Sequence, residues 1–481
     1  MQESSAITKE PTALKLNMKR TFTIGFAFFG ILLLWQVYDS WCPVFLTELF
    51  GNAIFGNAAS AHAEEVQYLV GIIMALDNLA ALILLPIFGM LSDKTHTKIG
   101  KRMPYILIGT FVSAVAFPFI PVLFHYHNVA GTVVVMAIVV CFMMMYRNPA
   151  VALMPDLTPK PLRSKANGII NIMGYIGGFF ATIVGIVFVL SQYLGSQEGA
   201  EHTWQYQNIW AIEAPFLIAS VLMVVSAVFL FVKIKENAVA EEIKDEMALG
   251  EKLAEVVDKV DDGAMSKGNR IMLIMILVAE FFWFMSDNGI STFMGNYTVY
   301  YLGAATSSNM INTIMGGVGS VAGFALGGIV AEKIGRKWTV VSGLALAALS
   351  NLVWMILSFT VLEGAAGSGS FPVAIYVIWF VKGLGMSLVH INSFPMVVEL
   401  CSSSKIGRFT GYYYASSMAA QTATPILLGL LLLSPEFSFN LLPLYAFSCL
   451  MVSVIVFILI KNVKVNKVKI NKGLEAFDSE D

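Results

Sequence analysis

The chain has 481 residues, of which 57% are hydrophobic and 13% charged, and its net charge is -2. A soluble domain carries charge on about a quarter of its residues, so this composition sets aside a soluble globular domain and describes a polytopic membrane protein. The charges are segregated by loop and form no basic face for nucleic acid.

A bilayer core of about 30 Å takes roughly 20 apolar residues per helix. After a polar tail, 1-21, that ruler places spans at 22-49, 66-91, 105-124, 131-154, 166-191 and 209-232, a first bundle over 22-232. The tail is polar and the apolar run after it is too long for a signal h-region, so the first span is expected to direct insertion itself. A polar segment, 233-269, follows; in it Val239, Ile243, Met247, Leu253, Val256, Val257 and Val260 recur at mostly helical spacing, which predicts an amphipathic helix joining two halves. Spans at 270-302, 309-331, 339-362, 372-398, 409-433 and 441-461 make a second bundle over 270-461, and 462-481 is a second polar tail. The expected fold class is all-α, with twelve transmembrane helices in two six-helix bundles.

With both termini in the cytoplasm, every Lys and Arg lies on the cytoplasmic side except Arg147 and Lys382, and the outside segments hold none. The four cysteines, Cys42, Cys141, Cys401 and Cys449, are scattered, which gives neither a disulfide framework nor a metal cluster. No phosphate loop or nucleophile motif is present, so an enzyme is not expected.

The halves repeat. Trp35 and Asp39 have the same offset as Trp283 and Asp287. Gly89, Asp93, Lys94 and Ile99-Gly100-Lys101-Arg102 are echoed by Gly328, Glu332, Lys333 and Ile334-Gly335-Arg336-Lys337. Arg147, Asp156 and Gly168 are spaced as His390, Glu399 and Gly411. Three matches in one order describe a duplicated six-helix unit.

Two six-span halves with a basic loop after the second span of each resemble the major facilitator superfamily, and Gly89-Met90-Leu91-Ser92-Asp93-Lys94 with Gly100-Lys101-Arg102 resembles its loop motif. Asp77-Asn78, the Gly-Lys-Arg-Met-Pro-Tyr run from Gly100 and the segment from Pro155-Asp156 to Asn167-Gly168 look most like the sucrose:cation symporters. More distantly they are similar to the glycoside, pentoside and hexuronide symporters typified by melibiose permease. The resemblance implies a cytoplasmic gate made of Gly89, Asp93, Gly100 and Arg102, with Glu332 and Arg336 in its second copy. It also implies two acids one turn apart on the second span, whereas Ile73 and Ala81 flank Asp77 here, a departure that favours H+ over Na+.

Several residues do not suit an apolar span. Asp77 lies roughly 16 Å deep, and a carboxylate at the midplane is costly and read as part of a site; with Asn78 it is the expected cation-coupling acid. Trp35 with Asp39, and Trp283 with Asp287 and Asn288, can hold a sugar between an aromatic face and hydrogen-bonding groups, although Trp is also common as an interfacial anchor. Arg147 and Lys382 need acidic partners or the cavity, and Asp39, Asp77, Glu280 and Asp287 are the candidates. His390, which can titrate near neutrality, and Asn392 can complete a polar lining. Gly174 and Gly178, and Gly316, Gly319, Gly323 and Gly327, form small-residue stripes on spans 5 and 8, read as permitting the two bundles to rock; plain packing needs the same glycines.

The function expected is a plasma-membrane symporter that carries a disaccharide or glycoside inward with H+, with Na+ as the alternative ion and no cofactor. The cavity lining would be Trp35, Asp39, Arg147, Asn148, Trp283, Asn288 and His390. Its partners are the sugar, the ion and the bilayer, with no obligate protein partner. An exporter of drugs or other organic solutes is the second reading and a receptor on a transporter scaffold the third.

Overall fold

The computed structural model describes residues 14–56, 62–159, 162–189, 193, 208–258, 267–362, 371–398, 400, 406–433 and 438–460. Among them every regular element is helical: α1 (Met18–Phe55), α2 (Gln67–Lys94), α3 (Met103–Ala116), α4 (Phe119–His125), α5 (Val129–Asp156), α6 (Arg163–Val187) and α7 (Trp210–Lys233) in the first half. Then come α8 (Glu236–Glu242), α9 (Lys244–Asp258), α10 (Lys267–Asn296, prolonged by a π turn, Tyr297–Tyr301), α11 (Thr306–Ile334), α12 (Arg336–Ser358), α13 (Val373–Val398), α14 (Ile406–Leu431) and α15 (Leu441–Leu459). Polar side chains start helices where the chain enters them: Asn17 accepts from the Arg20 N–H and Asn128 from the Gly131 N–H. The third expected span is broken into α3 and α4 ahead of Pro118, whose ring cannot continue the helical hydrogen bonding.

Among the described residues eleven segments are long and apolar enough to cross a membrane. The remaining expected span, α14, has 26 residues, which reach about 39 Å. It carries Tyr412, Tyr413, Tyr414, Ser416, Ser417, Gln421, Thr422 and Thr424 and is correspondingly less apolar, and it packs against α2 and α10. Aromatic cores hold each half together. Phe45 stacks on Phe124 and Phe216 in the first, while Trp354 meets Tyr297 and Trp379 in the second.

The glycine stripes pack helices within bundles, which corrects the rocking role expected for them. A Cβ on Gly174 would meet Leu32, and one on Gly177 the Phe29 carbonyl, so α6 lies close on α1. Gly319 and Gly323 sit on the backbone of Phe380 and Leu384, and Gly383 on that of Gly316, which binds α11 to α13. The linker also differs from a single helix: α8 and α9 meet at Ile243, 2% exposed, and Val239 and Met247 pack on the first bundle's core. Residues 259–266 of the expected linker, both distal tails, Glu399 and Cys401 lie outside the described residues.

The bundles meet where α2 faces α14, α6 faces α11 and α1 faces α10. Their cross-bundle hydrogen bonds cluster away from the end that bears the basic loops. Asn78 Nδ2 donates to the Gln421 carbonyl at 3.1 Å, Asn296 Nδ2 to Thr47 Oγ1 at 3.0 Å and to Gln67 Oε1 at 2.8 Å, and Tyr300 to Glu48 at 2.7 Å. Glu64 accepts from Ser438 and from the Phe439 N–H. Toward the basic end Ile83, Met90, Tyr175, Val321, Ile329 and Tyr414 on these same helices are exposed. The molecule is thus sealed at one end, with a cleft open at the other.

Candidate functional site in the central cleft

Asp77 is held by the first bundle. Its Oδ2 accepts from the Tyr38 hydroxyl at 2.5 Å. The next residue, Asn78, donates to its own helix at Met74 O and across to Gln421 O of the second bundle. The acid therefore sits beside the innermost bond that joins the two halves. Tyr38 is one residue before Asp39 on α1, and because adjacent helical residues point about 100° apart the two serve different faces: Tyr38 is fully buried and reaches α2, while Asp39 is exposed to the cleft.

Each half sets an acid on its first helix against a cation on its fourth. Asp39 and Arg147 act on each other electrostatically, and Arg147 also feels Tyr414 across the cleft. In the second half Asp287 Oδ1 accepts from Lys382 Nζ at 2.6 Å, and its Oδ2 lies 4.0 Å from His390 Nε2. His390 is the repeat counterpart of Arg147, so Asp287 with His390 reproduces Asp39 with Arg147, and Lys382, two turns earlier on α13, is an addition particular to the second half. Lys382 thus uses Asp287, while Asp39 is the candidate acid that acts on Arg147, without a direct ion pair between them among the described residues. Asp77 and Glu280 pair with neither cation among the described residues; Glu280 is fully buried, with both carboxyl oxygens lacking a hydrogen-bond partner there.

Other expected lining residues are placed differently. Trp283 has no exposed surface and packs on Phe284 and Phe457, so it belongs to the core of the second bundle and does not line the cleft in this conformation. Its offset from Asp287 matches that of Trp35 from Asp39, but Trp35 is only half-buried, edge-on to Tyr38 at 5.5 Å. Asn148 spends its amide N–H on the Leu85 carbonyl and covers Gly89, which makes it a link between α5 and α2. Asn288 is half-buried beside Asp287, and its Oδ1 has no partner among the described residues. Asn392 is buried and bonds to its own helix at Leu388.

At the basic end the loop motif forms a clasp inside the first bundle. Arg102, with 5% of its side chain exposed, donates to Asp156 at 2.8 Å, to Asp93, to Ser92 Oγ and to the Gly89 carbonyl, while Lys101 lies 3.1 Å from Asp156. Burial opposes the charge of Arg102, but bonds and charges from Asp156 and Asp93 outweigh it and hold the guanidinium above its ordinary pKa. Gly100 has φ +118°, and the Glu236 carboxylate occupies the place a Cβ would take. Glu236 in turn accepts from the N–H groups of Lys101, Arg102 and Met103. The second copy keeps the backbone turn, Gly335 at φ +83°, but nothing crowds it, and Glu332 and Arg336 are exposed. The two copies are thus alike in backbone and unlike in packing. No local signal in the sequence joins Glu236 to a loop more than a hundred residues earlier. Glu48, by contrast, is visible in the sequence as an acid at the end of an apolar span.

A family model described as the Major Facilitator Superfamily matches residues 24–327 and 272–477. Among solved structures the chain is similar to the xylose transporter XylE from E. coli in an inward open conformation, at 15% identity over 95% of this chain and 99% of that one, with a TM-score of 0.62. It is also similar to a peptide transporter POT, at 16% identity over 92% and 94% with a TM-score of 0.60. The POT family transporter PepTSo aligns at 13% identity over 92% and 97%, with a TM-score of 0.62. At these identities the likeness shows the fold alone. No curated protein matches the chain significantly in sequence.

Proposed function

The chain belongs to the Major Facilitator Superfamily, a family of membrane transporters and not of enzymes, and we propose that it is a sugar:proton symporter that imports a disaccharide or glycoside by alternating access. In this reading the protein lies in the plasma membrane with its basic end toward the cytoplasm, an orientation the one-sided distribution of Lys and Arg supports, and the structure is its inward-open form. The observation that carries the reading is Asp77: a carboxyl group beside the cleft, bonded to a tyrosine hydroxyl, unpaired with any cation among the described residues, and next to the Asn78–Gln421 bridge.

A tyrosine hydroxyl can donate to a carboxylate or accept from a carboxylic acid, so Tyr38 serves Asp77 in both protonation states. Ile73 and Ala81, one turn to either side, add no oxygen side chain, and this favours H+ over Na+. The cargo reading rests on the lining. Asp39 and Arg147 from one bundle and Asp287, Lys382 and His390 from the other offer donors and acceptors to hydroxyl groups, with the Trp35 indole as the aromatic face. A sugar bonded to both sets would draw the bundles together at the basic end while the far seal opens, which is the rocking of one half against the other.

The test is counterflow and uphill uptake in proteoliposomes with a panel of mono- and disaccharides, comparing the native protein with Asp77→Asn. Exchange retained with uphill transport lost is the expected result. Uphill uptake unchanged in Asp77→Asn refutes the coupling role. Flux of amphipathic solutes without sugar flux would replace the cargo, and sugar binding without any flux would replace transport by sensing.

A further inference from the structure

Two carboxyl groups bridge the bundles at the closed end, Glu64 near the surface and Glu48 inside the seal, and among the described residues Glu48 pairs with no cation. Glu48, near the end of α1, is fully buried. Its Oε1 is 2.7 Å from the hydroxyl of Tyr300, which belongs to the second bundle, and its Oε2 is buried with no partner among the described residues. Beside it Thr47, Gln67 and Asn296 form a fully buried triad linked at 2.8 to 3.2 Å. Those three are neutral at any working pH and shut water out. The ionisable groups on the surrounding elements are Tyr300 with Tyr297 and Tyr301 in the same turn, Glu213 on α7, His125 at the end of α4 and His127 after it, and His62, Glu64 and Glu65 before α2. Of these Tyr300 alone acts on Glu48.

An ionised carboxylate held in a dry site by one hydroxyl donor costs several kcal/mol. The acid form avoids this cost, and the site is built to take it. The Tyr300 hydroxyl also lies 3.5 Å from the Val44 carbonyl, so it can turn its proton to Val44 and accept one from Glu48. Tyr300 sits in the π turn that closes α10, an irregularity common at functional positions.

We infer that Glu48 is a proton-binding site built into the seal, loaded when the bundles close at this end and unloaded when they part. On closing, the carboxylate takes a proton from the water it is leaving; on opening, the rehydrated acid returns it to the same side. The inference depends neither on the cargo nor on Asp77 as the coupling acid, because it concerns only what this end must bind in order to shut.

The experiment measures the ratio of closed to open seal against pH in full-length protein in lipid nanodiscs. Distance probes go on the exposed positions Tyr126 and Val373, in a background lacking the native cysteines. Asp77→Asn is present throughout, so that a failure of the coupling proposal cannot imitate a failure of this one. A single linked proton changes the ratio by up to tenfold per pH unit. The expected result is closure favoured as pH falls, with that dependence removed in Asp77→Asn/Glu48→Gln and the seal mostly closed at every pH. The same slope with and without Glu48→Gln overturns the inference, as does the absence of any slope in Asp77→Asn. Tyr300→Phe leaves the carboxyl in place and gives an independent reading. The infrared carbonyl band of a protonated carboxyl group shifts on loss of its hydroxyl partner; no shift also overturns the assignment.

Discussion

Replacing Glu236 with Ala is expected to loosen the linker from the first bundle by about 2 to 3 kcal/mol. Its two oxygens accept from three backbone N–H groups at the start of α3, at 3.0 Å from Lys101, 3.1 and 3.0 Å from Arg102 and 3.0 Å from Met103. Such groups have no partner inside their own helix. A capping bond contributes about 1 kcal/mol. A full negative charge at the positive end of the helix dipole adds up to about 1 kcal/mol, and leaving the N–H groups buried and unpaired costs about 1 to 3 kcal/mol. These terms overlap, and Glu236 is 3% exposed, so screening by water removes little of them. At 1.4 kcal/mol per factor of ten, the opening equilibrium should rise on the order of 30- to 150-fold.

Hydrogen exchange of the first α3 amides, with thermal unfolding in detergent, reads this directly. The control is Glu241→Ala, which removes only an exposed pair with Lys244. Gly100→Ala should do at least as much damage as Glu236→Ala, because its Cβ would fall on the Glu236 carboxylate at a φ that L-residues avoid. If exchange and melting in Glu236→Ala match those in Glu241→Ala, the carboxylate is not what holds the start of α3.

Gly319→Ala places a methyl group on the Phe380 carbonyl and Gly383→Ala one on that of Gly316. Each should destabilise the second bundle by about 1 to 3 kcal/mol, seen as a lower melting temperature, whereas Gly317→Ala meets nothing and should be neutral. The Lys382–Asp287 pair is 12% and 28% exposed in its side chains, so Asp287→Asn or Lys382→Met should each cost about 1 to 3 kcal/mol, less than a fully buried pair. The double variant should recover most of that stability while sugar counterflow stays lost; strictly additive losses would refute the pairing.

The lengths of the apolar runs, the one-sided distribution of Lys and Arg and the threefold register of repeated residues made the two-bundle architecture legible from the chain alone. Asp77 was legible too, since a carboxylate in an apolar span stands out whatever surrounds it. The burial of Trp283 was not legible, for a definite reason. In a bilayer both the lipid-facing and the core-facing sides of a helix are apolar, so spacing reports a shared face without saying what that face meets. The same ambiguity turned glycine stripes that bind α6 to α1 and α11 to α13 into apparent rocking surfaces.

What depended on the folded molecule was partnership. Which acid meets which cation, which asparagine is used up on a neighbouring carbonyl, and which end of the cleft is shut all depend on helices brought together from distant parts of the chain. Asn78 and Gln421 are 343 residues apart, and Glu48 and Tyr300 are 252 apart. Local pattern carries the direction of a side chain around its own helix. The group it finds on the other side is set only when two bundles dock, and in this protein the contacts that join the bundles are of that second kind.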